Sequence, residues 1–280
     1  MTYLETMING VETEFISVRD RGLQYGDGCF ETLRLINRFP VLLNQHIDRL
    51  IRTCQLLQIE IDLDILRIEL TEFIRLCPTD GVVKIILTRG IGGRGYTAPK
   101  NPEIHRIFLY SEYPENYSKL TEEGVSVGVS GMPLSENSRL AGHKHLNRLD
   151  QVIASFDLHA TADEVLCMDS SGHVIEGSKS NLVLVLDDLV ITPNLEKSGV
   201  KGVMLDYLRH RYANDGNDIR ARDVTLEDIR DASELFLCNS VFGVLSVAKL
   251  IENEAVKFWP IGPVTRQAMR YYQEVIASAN

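Results

Sequence analysis

Two periodicities take turns along the first 113 residues. In "CFETLRL" (29–35) Phe30, Thr32 and Arg34 share one face, the two-residue repeat of a strand. "VVKIILT" (82–88) and "RIFLYSEY" (106–113) also read as strands. Between them Ile47, Leu50, Ile51, Cys54 and Leu57 recur at helical spacing, as do Ile65, Leu66, Ile68, Leu70, Phe73 and Ile74. "MTYLETMING" predicts a strand ending in an Asn9-Gly10 turn. The polar, turn-rich "SEYPENYSKLTEEG" (111–124) reads as a boundary. Beyond it lie many short strands, "VSVGVS", "DEVLCMD", "NLVLVLD", "LVITP", "ELFLCNS" and "VLSVAKL", with helices only near 146–158, 203–213 and 262–277. In the first of those, Leu146, Leu149, Val152, Ile153 and Phe156 predict a buried helix. The expected architecture is α+β, with an N-terminal domain over 1–113, a linker over 114–124 and a strand-rich, partly closed domain over 125–280. No internal repeat or low-complexity tract interrupts it.

Bulk properties narrow the class. With 44% hydrophobic and 24% charged residues, the 280-residue chain can bury a substantial core. A net charge of -10 argues against a general nucleic-acid binder and against attraction to anionic membranes. No apolar run reaches membrane-spanning length, and the N-terminus does not read as a signal peptide. Cys29, Cys54, Cys77, Cys167 and Cys238 are odd in number, widely spaced and without a CxxC pair. Neither a disulfide framework nor a metal site is expected, and a reducing cytoplasm fits best.

Several short stretches carry candidate chemistry, each with an ordinary structural alternative. Lys144 in "AGHKHLNRLDQVIA" (141–154) is either a solvated lysine or a reactive amine, which would require burial or a cationic neighbour. "GVKGVMLDYLRHRY" (199–212) opens a helix behind two glycines, an arrangement that can seat a phosphate on backbone N–H groups or simply form a turn. In "NQHIDRL" (44–50) Asn44 is a plausible N-cap, and Arg49, out of phase with the apolar face, is either solvated or an anion ligand. "ILTRGIGGRGYTAP" (86–99) packs four glycines with Arg89, Arg94 and Tyr96, either an anion clamp or a flexible tip. Glu176 in "HVIEGSKSNLVLV" (173–185) enters an apolar strand, where a carboxylate needs a partner. "YGDGCFETLRL" (25–35) adds Tyr25 and Thr32. A lysine, a phosphate seat, a carboxylate for a ring nitrogen and an anion clamp together suit pyridoxal phosphate.

The same stretches resemble the fold-type IV pyridoxal-phosphate enzymes, which include branched-chain aminotransferases, D-amino-acid aminotransferases and 4-amino-4-deoxychorismate lyases. "DRGLQYGDGCFET", "HIDRL", "KHLNRLDQV", "IEGSKSNL", "GVKGVM" and "LCNSVFGV" match family segments in order along the whole chain. The resemblance implies a two-domain fold, an N-terminal α/β sandwich followed by a C-terminal pseudo-barrel. It implies that Lys144 forms the Schiff base with the cofactor, that Glu176 pairs with the pyridine nitrogen and that Arg49 binds the phosphate. It further assigns the rest of the phosphate cradle to the backbone around Gly202, Val203 and Met204 and to Asn239-Ser240. A homodimer acting on a small molecule is implied as well.

Within the family the details lean to the lyases. "TRGIGGRGY" looks like the lyase glycine-arginine loop. Arg148 stands where branched-chain aminotransferases tend to have a tyrosine, and Thr32 where they have glycine. "RGY" at 94–96 lacks the histidine of the D-amino-acid enzymes, whereas Glu31 after Phe30 is found in many aminotransferases. The expected reaction converts 4-amino-4-deoxychorismate to 4-aminobenzoate and pyruvate. Lys144 and Thr32 would be catalytic, and Arg94, Tyr96, Arg148 and Tyr25 would contact substrate. A branched-chain or D-amino-acid aminotransferase is the alternative, and a binding protein that merely keeps the fold is a third reading.

Overall fold

The computed structural model of the chain describes residues 6–158, 162–252 and 255–278. They form two compact units. One comprises the described residues up to Tyr113, Lys144–Asn147 and those from Ile276 on; the other comprises Pro114–His143 and Arg148–Val275.

The first unit is built on a six-stranded antiparallel sheet of order β2-β1-β6-β5-β3-β4. Its strands are β1 (Thr6–Ile8), β2 (Val11–Glu12), β3 (Gly28–Ile36), β4 (Phe39–Pro40), β5 (Gly81–Thr88) and β6 (His105–Ser111). Asn9 and Gly10 make the β1–β2 turn at φ 49 and 76°, the left-handed pair that a tight two-residue hairpin needs. Alternation along β3 is clean. Cys29, Glu31, Leu33 and Leu35 are buried, while Phe30, Thr32 and Arg34 are half-buried on the other face. The buried face packs on α2 (Leu43–Leu57) and α3 (Leu63–Leu76). Leu33, Ile85, Leu87, Leu50, Leu66, Phe73 and Phe108 are fully enclosed there, each contributing roughly 1.5–3 kcal/mol. Two details differ from the sequence reading. Leu42, at φ 55°, is the N-cap of α2 with no side-chain bond, and Asn44 lies inside the first turn. A one-turn helix, α1 (Arg21–Tyr25), precedes β3; Asp20 caps it through Gly22 and Leu23 N–H, and five residues are too few for periodicity to reveal.

The second unit opens with α4 (Asn116–Glu123), inside the stretch expected to be a linker. Its strands are β7 (Val125–Val129), β8 (Glu164–Met168), β9 (Val174–Gly177), β10 (Asn181–Leu186), β11 (Leu189–Pro193), β12 (Ile219–Arg222), β13 (Glu234–Asn239), β14 (Gly243–Glu252) and β15 (Ala255–Phe258). They run β12-β11-β10-β13-β14-β7-β8-β9, with β15 on β14. The end strand β9 also contacts β10 and β11, so the sheet curls back on itself around an apolar interior. That is the partly closed domain expected from the strand density. Three helices, α6 (Val203–Asn214), α7 (Leu226–Asp231) and α8 (Pro263–Ser278), complete the fold with the short α5 (Leu149–Ala154). The buried helix expected from Leu146 onward is not what forms. Leu149, Val152 and Phe156 are 68, 48 and 70% exposed, and within α5 only Ala154 is buried. No helix among the described residues is long and apolar enough to cross a membrane.

Candidate active site

In the first unit the chain around Lys144 joins the end of β3. Lys144 O accepts from Phe30 N (3.0 Å), and Leu146 N donates to Gly28 O (3.0 Å). These bonds hold the Lys144 backbone as a strand-like addition, and a Cβ at Gly28 would press on Leu87 O and Leu146. The Lys144 ammonium lies over the Phe30 ring, 4.5 Å from its centroid. Thr32 is on the same face of β3, and its register partner on β5 is Lys84. Lys84 reaches the same ring, with Nζ 4.8 Å from the centroid, and burial holds its amine below the ordinary lysine range. Lys84 was not among the expected site residues. Its place in "VVKIILT", as the polar residue of an alternating strand, was the available signal.

Arg49 is not solvated. It is buried, and its Nε and Nη2 donate to Glu31 Oε1 (2.8 Å) and Oε2 (2.6 Å). His46 Nδ1 meets the same Oε2 at 2.6 Å. Burial alone would raise the Glu31 carboxyl, but Arg49 and His46 hold it down to about 2. Burial in turn lowers His46, against the pull of Glu31; Arg49 and Lys144, both cations, add to the lowering.

In the second unit Glu176 is buried on β9, and its Oε2 accepts from Val200 N at 2.8 Å. Gln151 Nε2 approaches Oε1 at 3.4 Å. Arg148, the residue before α5, is half-buried; burial lowers its pKa while Glu176 and Asp150 oppose the shift. The segment before α6 is tied back from both sides. Asn181 Nδ2 donates to Val200 O (2.9 Å). Gly142 N donates to Gly199 O (2.9 Å) and Gly142 O accepts from Lys201 N (3.1 Å). Helix α6 starts at Val203 behind the N-cap Gly202, which has no side chain to cap it, so the N–H groups of Val203 and Met204 lie in an uncapped first turn at the positive end of the dipole. A Cβ at Gly202 would run into Asn181 Oδ1. Asn239 is occupied in its own turn, accepting from Val241 and Phe242 N–H (both 2.9 Å) and donating to Lys179 O (3.0 Å), and Ser240 beside it is half-buried. A buried carboxylate in one segment and an uncapped helix start in the next fit a group that carries both a protonated ring nitrogen and a phosphate.

The glycine loop after β5 divides its arginines. Arg89 is turned inward, binding Asp27 (2.8 and 3.0 Å), Gln58 O (2.9 Å) and Leu57 O (2.6 Å). It braces the fold, with each of its three nitrogens donating within the protein. Arg94 and Tyr96 are exposed, and the Tyr96 ring meets Tyr25 edge-on at 5.5 Å.

Known proteins bear on this arrangement. Residues 28–250 match the amino-transferase class IV family. An aminodeoxychorismate lyase of Vibrio harveyi is 34% identical, over 93% of this chain and 96% of its own. A D-alanine aminotransferase of Listeria monocytogenes is 25% identical, over 96 and 93%. The crystal structure of 4-amino-4-deoxychorismate lyase from Pseudomonas aeruginosa superposes with a TM-score of 0.90 at 40% identity, covering 96% of this chain and 98% of that one.

Proposed function

Because the chain belongs to the class IV aminotransferase family, whose members use pyridoxal phosphate, we propose that it is a lyase converting 4-amino-4-deoxychorismate to 4-aminobenzoate and pyruvate. The observation that carries this reading is the face of β3 on which a hydroxyl, Thr32, accompanies the aromatic ring that lies under the Lys144 ammonium. The 34 and 40% identities to aminodeoxychorismate lyases support it.

When bound, the cofactor supplies a carbonyl for the substrate amine and a ring that accepts electrons. Lys144 would hold the cofactor, and its amine would take the proton from the carbon that bears the substrate nitrogen. Glu176 keeps the ring nitrogen protonated. Arg49 would bind the phosphate, and the N–H groups of Val203 and Met204, Gly202 and Asn239-Ser240 would be its other ligands. Thr32 would relay to the departing enolpyruvyl oxygen the proton that Lys144 has taken, so that its hydroxyl is restored. Arg94, Tyr96, Tyr25 and Arg148 contact the substrate, and Lys84 joins them as a carboxylate partner on the Thr32 face. The enzyme works as a homodimer in the cytoplasm, a setting with which five free, buried cysteines are consistent.

The test is a product assay with aminodeoxychorismate and no keto acid. Equimolar 4-aminobenzoate and pyruvate are expected. Turnover only when a keto-acid acceptor is added would instead make the protein an aminotransferase.

A further inference from the structure

The glycine loop is exposed, yet its backbone is organised from beneath by one side chain. Arg21, on α1, is 4% exposed. Its Nη1 donates to Gly95 O (2.9 Å), Gly92 O (3.3 Å) and Thr97 O (3.4 Å), and its Nη2 to Tyr96 O (3.1 Å). Its Nε donates to Asp27 Oδ2 (2.8 Å), the carboxylate that also holds Arg89. Four loop carbonyls thus converge on a single guanidinium. The backbone can turn them inward because Gly90, Gly92, Gly93 and Gly95 all take left-handed φ values of 73, 119, 78 and 55°. A Cβ at Gly93 would strike Thr97 O and come within 3.1 Å of Arg21 Nη1. The loop is therefore a carbonyl cage for a cation, and the cation belongs to the chain itself. A lysine could not fill it, since three donors radiating from one point do not match a planar fork spread over four carbonyls and a carboxylate.

We infer that Arg21 is a positioning residue that fixes the conformation of loop 90–97 and so sets the stance of Arg94 and Tyr96. For catalysis this rests on the proposal that those two side chains contact substrate. A run with four glycines has a large conformational freedom to lose on binding. Arg21 removes that freedom beforehand, and its guanidinium also lies 5.0 Å from the centroid of Tyr25, the ring that supports Tyr96. The cage thus acts on substrate capture, with the chemistry at Lys144 left as it is.

The experiment uses the cofactor-loaded, full-length protein. Hydrogen exchange of the 90–97 amides and steady-state kinetics with aminodeoxychorismate are measured for Arg21→Ala, with and without methylguanidinium, and for Arg21→Lys and Gly93→Ala. Arg21→Ala should lose protection across the loop and raise KM about tenfold or more, with kcat within about threefold, as for loss of charge-assisted contacts. Methylguanidinium should restore protection and KM in Arg21→Ala alone. Arg21→Lys should fall between, and Gly93→Ala should reproduce the KM rise with Arg21 intact. Unchanged loop protection in folded Arg21→Ala, or no response to methylguanidinium, overturns the inference. If Arg21→Ala does not fold, Arg21→Lys and Gly93→Ala decide in the same way. Protection lost and rescued with KM unmoved supports the positioning role, and it is the substrate-contact reading of Arg94 and Tyr96 that then fails.

Discussion

The two faces of β3 put the same kinds of side chain to opposite uses. On the buried face Glu31 is enclosed, and both of its oxygens are taken up by Arg49 and His46. On the other face Lys84 and Lys144 both approach the Phe30 ring, beside Thr32, and all four side chains are half-buried. Charges on the first face are matched inside the protein, so they serve the fold and hold Arg49 in place. The second face gathers two cations around an aromatic ring, an environment that favours an incoming carboxylate. The alternation of one strand thus puts the carboxylate that holds Arg49 on one face and the two lysines with Thr32 on the other.

The largest effect expected is at Lys144. Lys144→Ala should lower lyase turnover by ~10⁴-fold or more, since both the covalent attachment and the proton transfer go with it. Borohydride reduction of the loaded protein followed by peptide mapping should place the pyridoxyl group on Lys144. Because Lys84 shares the Phe30 ring, a label there would reverse the roles of the two lysines.

The buried face is broken at Glu31. Glu31→Ala leaves Arg49 and His46 buried without their carboxylate and should cost about 3–5 kcal/mol in urea unfolding at pH 7. The pH dependence has a definite sign. A carboxyl held at about 2 in the fold, against an ordinary 4.5, stabilises fully above the ordinary value and loses that contribution as pH falls towards 2, by about 3 kcal/mol in all. His46, lowered from 6.5 mainly by burial, acts in the same direction: below 6.5 the unfolded chain gains a proton that the fold resists. Stability should therefore fall from pH 7 to pH 3, and Glu31→Gln should flatten the lower part of that limb. An unchanged acid limb in Glu31→Gln would show that the network contributes little.

How much of this was legible beforehand depends on the distance between partners in the chain. The alternation of β3, the apolar stripes of α2 and α3 and the Asn9-Gly10 turn are local, and they formed as the pattern indicates. The Arg49 partner is 18 residues away and the Val200 N–H that meets Glu176 is 24 away; no spacing rule links either pair. Arg21 and its loop are separated by more than 70 residues, and no local pattern links them. Ile65 and Ile68 sat in the periodic run of α3 and yet are exposed, because the run was wider than the contact stripe. The α5 apolar residues show a related limit. Periodicity reports a face, and what covers that face is not written in the helix.

Thr32 sharpens the division of the open face between lyase and aminotransferase chemistry. Thr32→Gly should lower lyase turnover by roughly 10²-fold, within the usual range for an assisting acid, and half-transamination of a simple amino acid by much less. Thr32→Ser should recover part of the rate, since it keeps the hydroxyl. Equal losses in both reactions would reduce Thr32 to packing.

Lys84 should give the smallest effect and the most direct comparison with Glu31. Its amine is half-buried, lies against Phe30 and sits opposite Thr32 in the sheet register. A carboxylate arriving beside Thr32 would meet that ammonium at low local dielectric, where an ion pair gains more than it does in water. Lys84→Met keeps most of the stem and removes the charge. KM for aminodeoxychorismate should rise about tenfold, as for one charge-assisted contact, with kcat nearly unchanged. Stability should move little or increase, because burial already disfavours the charged amine and a thioether carries no such cost. Glu31→Ala should do the reverse, with a large loss of stability through the arginine and histidine it leaves unmatched. A Lys84→Met protein that unfolds far more easily while its KM stays put would erase the distinction between the two faces, and Lys84 would then be a structural lysine like the ion-paired residues across the sheet.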